Sequence, residues 1–215
     1  MNAAENTVRK IASCICLWTW LAYLATTTVY AQAPAADSTR LDCLYKKAFS
    51  DVTKQRAEAY ASVIVVMQAA REEGDLALQA DAEGLFATYF VRHNELDSCM
   101  IHARKCLSLG LLSGDLEHVA NGYSSLGNAF EAIGEPDSAL VGFQESFAYA
   151  QQAGSDILSS KALLNIGMIQ RTMGKYPESL ASLLAAQKIA QQKRLGGFLP
   201  NITLTIGEVY VLMGE

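Results

Sequence analysis

The sequence predicts an all-α fold, an α-solenoid built from antiparallel helix pairs. Three observations predict it. The chain of 215 residues holds only 4 prolines, Val/Ile/Thr runs are short, and Ala, Leu, Gln, Glu and Ser, which helices accept, dominate. Three glycine series recur on one forty-residue step: Leu126-Gly127 returns as Ile166-Gly167 and Ile206-Gly207, Gly134 as Gly174 and Gly214, and Gly74-Asp75 as Gly114-Asp115, with Gly154 following. Within one period two helical patterns alternate. Tyr123, Leu126, Phe130 and Ile133 mark one apolar face, and Ala139, Leu140, Phe143, Phe147 and Ala150 mark another, at spacings of three and four.

Residues 1–31 stand apart from the repeat. Arg9 and Lys10 precede an apolar stretch from Ile11 to Leu24, and the small-residue ending Val29-Tyr30-Ala31 places a signal-peptidase cut after Ala31. The alternative is an uncleaved anchor, since the threonines bring the stretch close to the roughly 20 residues that span a bilayer. Both readings put the rest outside the cytoplasm, periplasmic or anchored and facing the periplasm, because the positive flank comes first. Removing Glu5, Arg9 and Lys10 changes the formal charge from −5 to −6. That mild acidity argues against a nucleic-acid partner, which normally needs a basic stripe. Cys43, Cys99 and Cys106 remain, an odd number that is no disulfide framework.

Residues 32–40 read as a linker, and 41–215 as the array. Its units run about 41–79 (degenerate), 80–119, 120–159, 160–199 and 200–215 (truncated). In each, a helix A is followed by a helix B. Gly134-Glu135-Pro136 separates the two in the third unit, with proline suited to the first turn of the next helix. Glycine inside a helix costs about 0.5–1 kcal/mol relative to alanine, so the return of Gly127 at one position per unit implies close packing of A on B. The chain stops right after a helix A, which predicts that the array is the front portion of a longer one. Natural arrays end in a polar cap, whereas Ile202, Ile206, Val209, Tyr210, Leu212 and Met213 are apolar.

The motif residues identify a resemblance. Tyr123, Leu126-Gly127, Phe130, Ala139 and Phe143 match the tetratricopeptide pattern of aromatic, Leu-Gly, Tyr, Ala and Phe. Leu163, Ile166-Gly167, Ser179 and Leu183 follow it in the next unit, and Ile206-Gly207 with Tyr210 in the last. Ahead of them Phe86-Ala87, Phe90, Cys99 and Ala103 match weakly, and Ala59, Val63 and Val66 only as a helix B. The resemblance implies a right-handed superhelix. The period of forty exceeds the family's usual 34 residues, and Gln151 and Gln191 stand where the family often has proline. Helix B is therefore expected to run on to the glycines near 154 and 196, each helix gaining about one turn of 3.6 residues. Such long units resemble the repeat regions that front bacterial sensor kinases and helix-turn-helix regulators.

In this family helix A lines a concave groove. The resemblance places there Thr88, Val91 and Arg92; Asn121, Ser124, Asn128 and Glu131; Lys161, Leu164, Asn165, Met168 and Arg171; and Asn201, Thr205 and Glu208. The family's carboxylate clamp needs three cations where this chain has Ser124, Asn201 and Thr205, which argues against a C-terminal-peptide clamp. The groove asparagines read equally well as solvated helix surface. Cys99, His102 and Cys106 fall at i, i+3 and i+7, a spacing that could gather metal ligands, yet both cysteines take the small buried positions of helix B. His93 and His118 fall near helix ends and read as solvated. No phosphate-binding loop, nucleophile elbow or metalloprotease motif is present. The expectation is a non-enzymatic chain without cofactor or metal that binds a protein or peptide, or alternatively the extracytoplasmic sensing region of a signalling protein. Membrane contact would come only through the N-terminal segment or a part beyond Glu215.

Overall fold

The computed structural model describes residues 38–214. The signal-peptide and most of the linker assignments lie outside them. The described residues form nine α-helices and no strand: α1 (Ser38–Thr53), α2 (Ala59–Glu72), α3 (Leu76–Arg92), α4 (Leu96–Ser113), α5 (Leu116–Ala132), α6 (Pro136–Gln152), α7 (Asp156–Thr172), α8 (Tyr176–Gln192) and α9 (Leu199–Met213). No helix among them is long and apolar enough to cross a membrane. Residues from Leu41 onward make one compact unit.

The helix joints follow a twenty-residue step, half the period read from the sequence. The backbone turns left-handed at Gly74, Asn94, Gly114, Gly134, Gly154, Gly174, Arg194 and Gly214. At most of these joints the residue after the turn donates its N–H to the carbonyl five residues back, as Glu135 does to Phe130 and Lys175 to Gln170, both at 2.9 Å. This closure satisfies carbonyls that the helix end leaves free. Glycine reaches φ near +70° without strain, whereas Arg194 at φ +56° crowds its Cβ against the backbone. Asp75 and Asp115 then cap the following helix, accepting from the Leu78 N–H at 2.9 Å and the Glu117 N–H at 2.8 Å. The Gly-Asp pairs are thus joints, and the unit starts assigned at 80, 120 and 160 fall inside α3, α5 and α7. Helix α8 likewise ends at Gln192, and Arg194 takes the turn expected of Gly196.

The first joint departs from this scheme. The α1–α2 link turns at Gln55 (φ +53°), and a buried carboxylate organises it. Asp51 accepts from Lys47 at 2.8 Å, Arg56 at 3.1 Å and Ser62 at 2.6 Å. Hydrogen bonds from Lys47 and Ser62 hold its pKa below the usual carboxylate range.

Each helix from α2 onward packs on the next. The A helices α3, α5, α7 and α9 also touch in succession, while no two of the B helices α2, α4, α6 and α8 meet. The A helices therefore form the inner layer and the B helices splay outside it. Small residues set the A–B spacing. A Cβ built on Gly127 would lie 2.6 Å from the Phe143 ring, and one on Gly167 would lie 2.6 Å from Leu183. Phe143 and Leu183 fill those places and are buried. Aromatics fill the wedge between units, as Tyr60 on α2 does against Phe86, Tyr89 and Phe90 on α3. At Gly207, in the same register, a Cβ would meet nothing within 4 Å. The matching face of α9 is open, with Leu204 65% and Val211 75% exposed.

Candidate binding groove

The inner layer gathers polar side chains from four helices around a pocket of about 90 Å³. Asn121, Ser124 and Asn128 reach it from α5, Lys161 from α7, Asp81 and Thr88 from α3, and Tyr45 and Phe49 close it from α1. The period explains the convergence. Asp81, Asn121, Lys161 and Asn201 are forty residues apart, so they take the same place on successive A helices.

Ser124 is only 5% exposed, and its Oγ has no hydrogen-bond partner. Such an orphaned group is costly unless something outside the chain satisfies it. Lys161 has no carboxylate within ion-pair distance among the described residues. Burial pushes its pKa down, opposed by Cys106 and Asp81. The Cys106 thiol, itself pushed up to about 12 by burial, is uncharged at neutral pH, which leaves Asp81 as the acid among the described residues that offsets the lysine. Asp81 is also engaged elsewhere. His118 Nε2 lies 3.4 Å from its Oδ2, and the hydrogen bond to Asp81 raises the His118 pKa. His118 is therefore not the solvated histidine expected at a helix end, because α5 starts beside α3 and turns it inward.

A second pocket of about 330 Å³ adjoins the first, and Thr88, Ser125 and Asn128 wall both. Ala87, Val91 and Ala132 make it apolar, with Arg92 and Glu131 at its rim. A third, open cavity of about 1040 Å³ lies between α7 and α9, lined by Leu204, Val211 and Leu212. Arg171 crosses its edge to pair with Glu208.

Of the remaining groove residues, Asn165 is half-buried and Leu164 and Met168 pack into the core beside Ile169. Asn201 is exposed, and its carbonyl accepts from the buried Thr205 hydroxyl at 2.9 Å. Sequence reading missed Asp81, Tyr45, Ser125 and Cys106 as pocket lining. Asp81 was findable, standing one period before Asn121. Tyr45 was not, because α1 has no readable repeat.

The Cys99–His102–Cys106 triplet does not converge. His102 Nδ1 lies 2.5 Å from Glu83 on α3, and its ring stacks 5.1 Å from Phe90. Both thiols are buried, Cys106 against Ser125. Among the described residues no group of three candidate ligands could hold a metal ion.

No protein-family model matches the chain, and no curated protein matches it in sequence. Solved structures match its fold. The apo form of RapI superposes with a TM-score of 0.64 at 14% identity, over 81% of this chain and 64% of that one. Aspartyl phosphate phosphatase F from Bacillus subtilis gives 0.66 at 14%, over 90% and 51%. BtubC from P. vanneervenii gives 0.60 at 19%, over 100% and 85%. The fold is a tetratricopeptide-like helical-repeat solenoid. The chain spans between half and two thirds of the length of the first two neighbours. At these identities the likeness is one of fold, and the activity in a neighbour's name is that neighbour's own.

Proposed function

We propose that this chain is a non-catalytic interaction module that holds an extended protein or peptide segment along the inner faces of α3, α5 and α7. One observation carries this reading. The groove keeps the buried Ser124 hydroxyl without a partner of its own, next to a half-buried Lys161 that makes no ion pair among the described residues, directly beside an apolar pocket. A solvated helix surface leaves its polar groups in water; a binding surface holds them ready for a ligand's groups. No nucleophile with an adjacent base lies in the pocket, and its one thiol is held protonated.

The test is selection of binders from a phage-displayed library of random dodecapeptides on the full chain. Replacing Asn128 and Arg171 together with alanine should lower the affinity of selected peptides at least tenfold. Val141→Ser, on the exposed face of α6, should leave it unchanged. Undiminished binding by the double variant sinks the groove assignment.

We further propose that the module acts outside the cytoplasm, after cleavage behind Ala31. The support is the order of Arg9-Lys10, apolar run and small-residue end. Intact-mass measurement of chain expressed in a Gram-negative host should find a periplasmic species beginning at Gln32. A cytoplasmic species retaining residues 1–31 contradicts this.

A further inference from the structure

Resting on the groove reading, we infer that the two adjoining pockets select a peptide with an acidic side chain one or two positions from a large apolar one. The polar pocket offers mostly donors. Lys161 supplies an ammonium, Ser124 an unpartnered hydroxyl, and Asn121 and Asn128 their amide N–H groups. A carboxylate is the side-chain group that only accepts, so it can satisfy all of these at once.

The competing occupants fare worse. A cationic side chain meets Lys161. A neutral one leaves the partly buried ammonium without a counter-ion, which is costly. Asp81, the one acid in the lining, already faces His118. A short carboxylate fits the pocket of about 90 Å³ beside these donors.

The neighbouring pocket makes the opposite demand. Ala87, Val91 and Ala132 present hydrocarbon in about 330 Å³, which takes a leucine, methionine or phenylalanine side chain. Arg92 and Glu131 at its rim carry opposite charges and favour neither sign. Thr88, Ser125 and Asn128 stand between the two, so one layer of side chains separates the occupants. An extended peptide advances about 3.3 Å per residue, and that separation corresponds to side chains one or two residues apart.

The experiment is positional sequencing of dodecapeptides selected from the random library on the full chain, on Lys161→Met and on Ala132→Trp. The wild-type chain should enrich Asp or Glu within two positions of Leu, Ile, Met or Phe. Lys161→Met should lose the acidic preference and keep the apolar one. Ala132→Trp, which fills the apolar pocket, should do the reverse. For an individual selected peptide, replacing its acid by the amide should weaken binding at least tenfold to wild type and less than twofold to Lys161→Met. Selected peptides that depend on Asn128 and Arg171 yet show no such pairing overturn this inference and leave the groove reading standing. Failure of the wild-type chain to select any peptide overturns both, and the wild-type arm decides even where a variant does not fold.

Discussion

Gly127→Ala is expected to destabilise the protein by about 2 kcal/mol, whereas Gly207→Ala, at the same register position two periods on, is expected to stabilise it. Both changes remove the entropy cost of glycine inside a helix, about 0.5–1 kcal/mol. They differ in what the new methyl meets. At Gly127 it lies 2.6 Å from two ring atoms of Phe143, and the two backbones already approach so closely that a Cβ built on Gly142 would lie 3.0 Å from the Gly127 Cα. Phe143 is 1% exposed and has no free volume to enter, so α5 and α6 must separate. Overpacking of this kind costs about 1–3 kcal/mol. Here the contact is severe, so the upper end applies and outweighs the helix gain. At Gly207 nothing lies within 4 Å, and the gain of about 0.5–1 kcal/mol stands alone. Urea unfolding of the two variants measures both signs. A loss at Gly207 equal to that at Gly127 would show that the glycines serve something other than helix contact.

Phe143→Ala is expected to have a larger effect, a loss of about 3–5 kcal/mol, because it removes a fully buried ring and leaves a cavity between α5, α6 and the next unit. The two positions should also be coupled. In the Phe143→Ala background the methyl of Gly127→Ala enters emptied space, so the double variant should be more stable than the sum of the singles by at least about 0.5 kcal/mol. Additive behaviour in the same urea measurement contradicts the ring–glycine contact.

These positions also show what the chain discloses before folding. Gly127, Gly167 and the partners Phe143 and Leu183 are readable because one close approach recurs every forty residues and leaves the same small–large pair each time. The twenty-residue joint was less legible. Two of its members, Asn94 and Arg194, are not glycine, so the A-to-B and B-to-A turns looked like separate series when they are one. Apolar spacing marks the middle of a helix, while its beginning is marked by the capping aspartates of Gly74-Asp75 and Gly114-Asp115.

The groove was half legible. The register positions on helix A brought in Asn121, Ser124, Asn128 and Lys161, which do share a pocket. That Ser124 is orphaned, that Lys161 is half-buried, and that Asp81 is turned toward His118 depend on four helices meeting. No spacing within one helix carries that information. Thr205 and Met168 show the converse. Register alone put them on the groove, while Thr205 is buried with its hydroxyl bonded to the Asn201 carbonyl of its own helix, and Met168 packs against the core.

The most direct measurement is a heteronuclear NMR titration of the full chain with one selected dodecapeptide. A ligand along the inner layer should move the side-chain amides of Asn121 and Asn128 and the backbone signals of Asp81 and Lys161 most, leaving Ile101, Val141 and Leu184 on the outer helices unmoved. Shifts concentrated at those three outer positions, with Asn121 and Asn128 unchanged, would contradict a binding groove on the A helices.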